Sequence, residues 1–223
     1  MESSAAPRRL VLWRHGRTAW NAEDRFQGHT DVDLDDVGRD QAARAAAVLA
    51  ALRPASITSS DLSRARDTAA ALSAVTGVPV DLDARLRETY GGTWQGRTLT
   101  EIRAVDAKAY DQWRYASHVD IPAGGGETRS ALAARVVPAA LDAVGAAPPG
   151  ATVVVVTHGG SVRAAIGTLL ALPMDNWSAI AGLANCCWSV LEERPASPYA
   201  PAGWRLLEHN AGTLPQPVMG DEQ

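Results

Sequence analysis

Residues 152–160 read Thr-Val-Val-Val-Val-Thr-His-Gly-Gly, and this stretch decides the fold. Four consecutive valines are typical of a strand buried on both faces, as in the parallel sheet of an α/β protein. His158 and Gly159 follow directly, so we expect the imidazole at the carboxyl end of the strand. Ligands of open α/β sheets bind at that edge. The stretch therefore predicts a buried parallel strand with a functional histidine at its end.

A second apolar run near the N-terminus ends in the same way. Residues 10–16 read Leu-Val-Leu-Trp-Arg-His-Gly. If the two strands are neighbours, the imidazoles of His15 and His158 face one ligand and are open to solvent. The forked guanidinium of Arg14 makes that ligand an anion, with phosphate a good fit. Two alternatives stay open, in which His15 is a hydrogen-bonded histidine beside a surface arginine and His158 is a core histidine that caps its own turn.

The rest of the chain alternates strand-like and helix-like runs. We expect strands at 8–13, 56–59, 78–82, 152–157, 184–192 and 203–209, and helices at 37–52, 60–75, 98–116 in pieces, 128–144 and 161–172. Ser60 is the expected N-cap of the second helical run, at 60–75, and Gly77 is its terminator. This order predicts an α/β fold, a three-layer α/β/α arrangement around a mostly parallel central sheet.

The domain organisation follows from the lengths of these runs. The 223 residues are expected to form a single domain, residues 1–223, with a core at about 8–209 and a loose tail from Asn210. Residues 83–127 are too long for an ordinary connection. We expect this insert to form part of the substrate pocket.

Composition excludes several classes of function. A net charge of −4 argues against a nucleic-acid partner, and the chain has no run of the ~20 apolar residues that a membrane span requires. Residues 1–9 do not resemble a signal peptide. The adjacent Cys186 and Cys187 are poorly placed for a disulfide and indicate a reducing compartment. We expect a soluble, cytoplasmic protein without a zinc site.

Two more residues carry chemistry that suits a phosphate ester. Arg64 lies in the first turn of the helix after residues 56–59, an unfavourable place for a cation unless an anion binds there. Glu88 lies in the Gly-rich insert, where a carboxylic acid could protonate a leaving oxygen. A neighbouring phosphate dianion would help that carboxyl group to keep its proton. In the alternative, Glu88 is paired with Arg85 or Arg87.

Taken together, these motifs resemble the histidine phosphatase superfamily, in its phosphoglycerate mutase-like branch. The resemblance spans about residues 8–192 and rests on motifs in a fixed order: Arg14-His15-Gly16 with Thr18, Trp20 and Asn21, then Gln27-Gly28, Ser59-Ser60-Asp61-Leu62 with Arg64-Ala65, Arg87-Glu88, Gly125-Gly126-Glu127 and His158-Gly159.

The resemblance implies the site and its chemistry. It implies a phosphohistidine at His15 and a proton donor at Glu88, and it requires no metal and no cofactor. Around the phosphoryl group and the substrate it places seven further residues: Arg14, Asn21, Gln27, Gly28, Arg64, His158 and Gly159.

The length of the insert separates two activities within this family. The mutases carry a longer segment between the counterparts of Gly96 and Glu127, so the short segment here indicates a phosphatase acting on small phosphorylated metabolites. A cofactor-dependent phosphoglycerate mutase is the alternative, and a non-catalytic anion-binding module is a third.

Two stretches narrow the resemblance to one group of phosphatases. Residues 86–96 and 172–185 are similar to the actinobacterial glucosyl-3-phosphoglycerate phosphatases. Members of that group pair as homodimers, and the apolar residues 177–190 are a candidate interface. Trp94, Trp113 and Tyr115 are candidates to stack on a sugar ring, with burial in the core as the alternative for each.

Overall fold

The structure, a computed structural model, describes residues 6–213. Its strands are β1 (Arg9–Arg14), β2 (Ser56–Ser59), β3 (Val80–Leu82), β4 (Thr152–Thr157), β5 (Trp188–Arg194) and β6 (Gly203–Ala211). Its α-helices are α1 (Ala19–Ala22), α2 (Asp36–Leu49), α3 (Ser63–Thr76), α4 (Leu99–Val105), α5 (Ala107–Tyr115), α6 (Arg129–Gly145) and α7 (Gly159–Leu169). Short 3-10 helices lie at Ala50–Leu52, Ala84–Leu86, Gly92–Trp94, Ser117–Val119, Ala123–Gly125 and Met174–Ala179.

The strands form one sheet of six in the order β3-β2-β4-β1-β5-β6. The pairs β3-β2, β2-β4 and β4-β1 are parallel, and β5 and β6 continue the sheet antiparallel. β1 and β4 are adjacent, with Arg14 opposite Thr157 at their ends. The predicted α/β fold with a mostly parallel sheet is therefore confirmed, and both histidine motifs leave neighbouring strands at one edge.

Helices cover both faces of the sheet, and β4 divides its valines between them. Val153 and Val155 pack with α6 and α7, whereas Val154 and Val156 pack with α2 and α3. None of these four side chains is exposed. Burying a valine side chain stabilises a fold by about 2 kcal/mol, so the valines of β4 stabilise the packing of both helix layers against the sheet. Because β4 is buried on both faces, it fixes the position of His158, the residue that follows it.

The insert at residues 83–127 has a small apolar cluster of its own. Trp94, Ile102, Tyr110 and Ala123 are its buried members. The helical pieces predicted at 98–116 are α4 and α5, which a single residue, Asp106, separates. The insert is therefore an ordered substructure rather than an extended connection.

Four predicted boundaries are wrong. β5 begins at Trp188, four residues after the predicted start of its strand. The third helix begins at Ser63, with Leu62 at its N-cap position and no side-chain cap, so Ser60 is not the N-cap; its terminator Gly77 is confirmed by a left-handed φ of 74°. α7 begins at Gly159, two residues before the predicted start. β6 includes Asn210, so the tail does not begin there. The N-terminal prediction for residues 1–5, and the tail from 214, lie outside the described residues.

The segment at 177–190 packs inward. Trp177, Ile180, Leu183 and Trp188 are all at least nine-tenths buried within the chain. The apolar character that suggested an interface is thus satisfied by the chain's own core, and homodimer formation stays a prediction without support from this segment. Within residues 6–213, no helix has both the length and the apolar composition to cross a membrane.

Within residues 6–213, Cys186 and Cys187 form no disulfide with each other. The Cys186 backbone N–H donates to the carbonyl oxygen of His15 at 3.1 Å, and its φ of 56° is left-handed. Burial raises the pKa of its thiol, so the group stays protonated at neutral pH. The cysteine pair therefore acts as packing beneath the end of β1.

Candidate active site

The two imidazoles lie side by side at the carboxyl edge of the sheet. Their ring centroids are 5.1 Å apart and their planes cross at 60°. Each follows the last residue of its strand, and the parallel register of β1 with β4 brings the two positions together. Only 3% of His15 and none of His158 is exposed. The predicted proximity is confirmed.

The hydrogen bonding of His15 fixes which nitrogen is free to react. Nδ1 lies 2.7 Å from the carbonyl oxygen of Gly16, and because a carbonyl only accepts, Nδ1 carries the proton. Nε2 therefore keeps its lone pair. Burial, and then the charges of Arg64 and Arg14, hold the pKa of His15 well below its ordinary value of 6.5. The ring is neutral at neutral pH and lines the cavity described below.

His158 lies behind His15 and is not open to solvent, which corrects the expectation that both rings are accessible. Its Nε2 lies 2.9 Å from the hydroxyl oxygen of Ser60. No residue of the described chain bonds its buried Nδ1. In the alternative for His158, the core position is confirmed, whereas the side-chain cap of α7 is wrong. Burial and the charge of Arg64 hold the pKa of His158 well below 6.5. An unsatisfied buried nitrogen is expected where a ligand completes the site.

Arg64 is a fully buried cation at the start of α3, as predicted. Its Nη1 donates to the carbonyl oxygen of Thr30 at 2.9 Å and its Nη2 to that of Gly28 at 2.7 Å, while no residue from 6 to 213 accepts from Nε. Burial lowers its pKa to about 10, which leaves it charged at neutral pH. No carboxylate of the described residues forms an ion pair with it. An anion in the cavity would offset this desolvated charge.

Arg14 approaches the cavity from β1. Its Nη1 donates to the carbonyl oxygen of Leu183, and only 9% of the residue is exposed. A Cβ built on Gly159 would lie 3.6 Å from its guanidinium carbon, so the first residue of α7 is directly against Arg14. The charged side chains of Arg14 and Arg64 therefore reach the same cavity from two different elements.

Glu88 is held by two backbone N–H groups. Its Oε1 accepts from Thr89 at 2.8 Å and its Oε2 from Gly160 at 2.9 Å. The second bond uses one of the N-terminal N–H groups of α7, because the backbone N–H of Gly160 donates to Glu88. A Cβ on Gly160 would lie 2.5 Å from Oε1, so only glycine allows this approach. The carboxyl group is thus fixed at the cavity wall.

The alternative that pairs Glu88 with a neighbouring arginine is wrong. Arg87 forms its ion pair with Asp61 at 2.5 Å, and Arg85 forms one with Asp83 at 2.7 Å. Both arginines therefore have carboxylate partners of their own. Glu88 is left free to act on a bound molecule.

Asn21 presents its amide nitrogen to the cavity. Its Oδ1 accepts from the backbone N–H of Thr18 at 3.1 Å and from Nδ2 of Asn185 at 3.3 Å. No described acceptor takes the hydrogens of its own Nδ2, so the oxygen is fixed and the donors are available. Gln27 also lines the cavity, and its buried Oε1 has no partner within residues 6–213.

These side chains enclose a cavity of about 260 Å³. Eight of the nine predicted site residues line it, and they are Arg14, His15, Asn21, Gln27, Gly28, Arg64, Glu88 and Gly159. The ninth, His158, touches the site only from behind. Six arginines and two carboxylates line the cavity in all, so its wall is strongly cationic. Such a wall suits an anionic ligand.

Residues 10–210 match the family model described as the histidine phosphatase superfamily, branch 1. The chain belongs to this superfamily. It is 43% identical over 92% of its length to the glucosyl-3-phosphoglycerate phosphatase of Mycolicibacterium vanbaalenii, of which it covers 95%. It is 39% identical over 70% of its length to the metal-independent phosphoserine phosphatase of Arabidopsis thaliana, of which it covers 66%.

A solved structure of this superfamily has the same fold. The mycobacterial glucosyl-3-phosphoglycerate phosphatase in complex with VO3 superposes with a TM-score of 0.84 at 42% identity, over 92% of this chain and 100% of that chain. The resemblance proposed from the motifs is therefore confirmed at the level of sequence and fold.

This histidine phosphatase also has a supporting network that sequence reasoning missed. Arg135 of α6 donates to the carbonyl oxygens of Arg87 and Glu88 at 2.6 and 2.7 Å, and it also donates to both carboxylate oxygens of Glu127. Glu127 in turn accepts from the backbone N–H of Tyr90 at 3.1 Å. The Gly125-Gly126-Glu127 motif is the sequence signal for this network, but the motif alone predicts no role for Glu127.

Two further contacts were also missed. Ser60 bonds His158, and Asn185 donates to the His15 carbonyl oxygen at 3.1 Å as well as to Asn21. Both residues stood inside quoted motifs, but nothing local indicates a partner so distant in sequence.

The aromatic candidates divide into three cases. Trp113 lines the cavity, whereas Trp94 belongs to the buried cluster of the insert. Tyr115 is 67% exposed and does not line the cavity. Of the three, only Trp113 is placed to contact a ligand in this histidine phosphatase.

Proposed function

We propose that this histidine phosphatase hydrolyses small phosphomonoesters through a phosphohistidine at His15, without a metal or a cofactor. One observation carries the proposal. Nε2 of a neutral imidazole keeps its lone pair in a cavity that the side chains of Arg14 and Arg64 also line. A neutral histidine nitrogen attacks phosphorus, and arginines stabilise the phosphoryl oxygens.

In the first step, Nε2 of His15 forms a bond to phosphorus as the ester P–O bond breaks. Arg14 and Arg64 stabilise the charge on the equatorial oxygens, and Nδ1 keeps its proton, which it donates in a hydrogen bond to the Gly16 carbonyl oxygen. The leaving oxygen takes the proton of the Glu88 carboxyl group, which lies at the cavity wall. The alcohol departs and a phosphohistidine remains.

In the second step, water attacks the phosphorus. The Glu88 carboxylate takes a proton from that water, the P–N bond breaks, and inorganic phosphate leaves with His15 neutral again. His158 supports both steps from behind, since its unpartnered Nδ1 is available to a phosphoryl oxygen. The Nδ2 hydrogens of Asn21 are available to another.

The remaining predicted site residues take different roles in this proposal. Gln27 contacts the ligand from the cavity wall. Gly28 acts through its carbonyl oxygen, which holds Arg64 in place at 2.7 Å. Gly159, the first residue of α7, packs against the guanidinium group of Arg14.

The substrate we propose is a phosphorylated small metabolite such as glucosyl-3-phosphoglycerate. The relative from M. vanbaalenii supports this choice because it is named for that activity and aligns over nearly the whole chain. The alternative of a phosphoglycerate mutase is less favoured. Incubation with 3-phosphoglycerate and a trace of bisphosphoglycerate discriminates: phosphate release supports a phosphatase, and faster formation of the 2-isomer supports a mutase.

Replacing the nucleophile tests the mechanism. His15→Ala should lower kcat with p-nitrophenyl phosphate by ~10³-fold or more, because no other group forms the covalent intermediate. His118→Ala changes an exposed histidine and serves as the control. Trapping of ³²P-labelled phosphate on His15 during turnover would also exclude a non-catalytic anion-binding module. Retained activity in His15→Ala would refute the proposal.

We propose a cytoplasmic location and a homodimer as further properties. The thiols of Cys186 and Cys187, which form no disulfide within the described residues, support a reducing compartment. For the dimer, light scattering coupled to size exclusion gives the mass directly, and a mass equal to the 23.5 kDa chain would contradict pairing.

A further inference from the structure

Residues 27–31, which we call the 27–31 segment, contact two parts of the site. The carbonyl oxygens of Gly28 and Thr30 accept from Nη2 and Nη1 of Arg64 at 2.7 and 2.9 Å. His29 lies between them in sequence and bonds the loop of the proposed acid instead. The segment therefore touches both the cation that binds the phosphoryl group in our proposal and the loop that carries the proton donor.

The same segment fixes the start of α3. Oδ1 of Asp31 accepts from the backbone N–H of Ser63 at 2.7 Å, one residue before Arg64. Arg64 is fully buried, so protein groups and not solvent hold its guanidinium. The 27–31 segment therefore sets the position of this cation at the phosphoryl end of the cavity.

His29 is tied to the insert by its side chain and by its backbone. Its Nε2 lies 2.8 Å from the carbonyl oxygen of Glu88, and because a carbonyl only accepts, Nε2 carries the proton of this hydrogen bond. Its backbone N–H donates to Oε1 of Gln95 at 2.7 Å. The ring also packs against the ring of Tyr90, with centroids 5.3 Å apart. Burial lowers the pKa of His29, so the ring is neutral at neutral pH and this proton is its only one.

The bond from His29 orients the peptide unit that joins Glu88 to Thr89. The carbonyl oxygen of this unit accepts from Nε2 of His29 and from Nη2 of Arg135 at 2.7 Å, which uses both of its lone pairs. The N–H of the same unit donates to Oε1 of the Glu88 carboxyl group at 2.8 Å. Because a peptide unit is planar, the donors that orient its C=O also orient its N–H. The imidazole thus acts on the carboxyl group through one rigid plane.

Close packing keeps the 27–31 segment against the insert. Gly28 has a left-handed φ of 55°, and a Cβ built on it would lie 2.3 Å from Oε1 of Gln95 and 3.0 Å from the carbonyl oxygen of Thr89. Only glycine allows this approach. The bond between His29 and Glu88 therefore joins two parts of the chain that are already in close contact.

We propose that His29 is a positioning residue, which holds the proton donor Glu88 in register with the phosphoryl-binding cation Arg64. It joins the segment that fixes Arg64 to the peptide unit that fixes the Glu88 carboxyl group. Acid-assisted transfer needs both at once, since the acid must lie within hydrogen-bond reach of the leaving oxygen while the phosphoryl group is held. The inference rests on the proposed function, because it assumes that Glu88 protonates the leaving oxygen.

Two substitutions of His29 separate the donor from the bulk of the ring. His29→Leu keeps an apolar side chain against Tyr90 but removes the donor, whereas His29→Gln keeps an amide N–H close to the position of Nε2. In His29→Leu, kcat/KM should fall by ~10-fold for glucosyl-3-phosphoglycerate, an alkyl phosphate, and by less than ~threefold for p-nitrophenyl phosphate, because only the alkoxide needs the acid. His29→Gln should recover the first value to within ~threefold of the unmodified enzyme. His118→Leu, at an exposed histidine, is the matched control.

A binding measurement shows whether the effect is confined to the acid. The inhibition constant of inorganic phosphate should stay within ~twofold in His29→Leu, because Arg64 keeps both of its carbonyl partners. An equal loss of kcat/KM on both esters, or an inhibition constant that rises in step with that loss, would overturn the inference in favour of a general structural role. Activity in His29→Gln no better than in His29→Leu would overturn it as well.

Two further readouts separate the failure of this inference from the failure of the proposed function. ¹⁵N-histidine NMR spectra of the full chain without substrate report the tautomer of His29, and a proton on Nδ1 instead of Nε2 would overturn the inference whatever the protein hydrolyses. The same two esters with Glu88→Gln test the acid itself. A loss that depends on the leaving group in Glu88→Gln but not in His29→Leu would keep the proposed function and overturn the inference. An equal loss on both esters in Glu88→Gln would refute the proposed acid, and this inference with it.

Discussion

At the scale of the residue, burial decides the protonation of the site. Both histidines have a pKa well below 6.5, first because of burial and then because of neighbouring guanidinium charge. The unfolded chain has ordinary histidines, so below pH 6.5 it binds protons that the folded chain does not. The acid limit of activity should therefore lie below the range of a free imidazole.

The same shifts make stability depend on pH. The unfolded state takes up the protons. The contribution of the two histidines to the free energy of unfolding therefore has its full value above pH 6.5. It falls as the pH drops below 6.5, by up to about 1.4 kcal/mol per pH unit for each histidine. Urea denaturation at several values between pH 7 and 5 measures the slope. His158→Gln should flatten it, whereas His118→Gln, an exposed site, should not. Equal slopes in all three proteins would disprove the assignment.

Glu88 should matter in proportion to the difficulty of the leaving group. Glu88→Gln keeps the shape of the side chain but removes the acid, so kcat/KM for an alkyl phosphate should fall by roughly 100-fold. With p-nitrophenyl phosphate, whose leaving group needs no proton, the loss should stay below roughly fivefold. Glu208→Gln, at an exposed position of β6, is the control. The same loss on both esters would remove Glu88 from this role.

At the scale of the element, the loop that carries Glu88 is tied to α6 by Arg135. Arg135→Gln would remove the contact with Glu127 and leave carbonyl oxygens without donors, so we expect a loss of about 2 kcal/mol in the free energy of unfolding. Arg66→Gln, which disrupts an exposed pair, should change it by less than about 0.5 kcal/mol. Chemical denaturation measures both. Indistinguishable midpoints would show that the network is not stabilising.

The turn after β1 needs a close approach between two glycines. A Cβ on Gly16 would lie 2.5 Å from the carbonyl oxygen of Gly38, which is rigid helix backbone. Gly16→Ala should therefore cost about 2 kcal/mol of stability. Gly145→Ala meets nothing within 4 Å at the end of α6 and should stabilise by about 0.5 kcal/mol. Melting temperatures that move in the same direction would contradict this contrast.

The elements that sequence reasoning could predict are those with a local signal. The four valines of β4 and the left-handed end of α3 at Gly77 are written in neighbouring residues. The start of α3 was misplaced because serine is a frequent N-cap, whereas Ser60 bonds His158 instead. That bond spans 98 positions, and no local pattern reports it.

The sequence predicts which residues form the site but not how deeply they are buried. Motif order placed eight residues on one cavity, because strand ends at one sheet edge must meet. The burial of His158, and the engagement of Gly160 by Glu88, depend on how the insert packs against α7. Arg135 was missed for the same reason, since only tertiary structure brings α6 to the loop that carries Glu88.

At the scale of the whole molecule, the site is assembled from protein groups alone in our proposal. Within the described chain, no group of three His, Cys, Asp or Glu side chains is placed to hold a metal ion. We therefore expect prolonged dialysis against EDTA to leave kcat/KM with p-nitrophenyl phosphate within about twofold, since the arginines supply the positive charge. A loss that added Mg²⁺ or Zn²⁺ restores would refute metal independence.

The order of the sheet also has a consequence for synthesis. β1 emerges first from the ribosome, yet its two partners, β4 and β5, begin only at Thr152 and Trp188. Until translation passes those positions, the backbone of β1 has no strand to pair with on either side. A nascent chain stalled before Thr152 therefore lacks the anion-binding cavity. It exposes an apolar, unpaired strand that chaperones would have to shield.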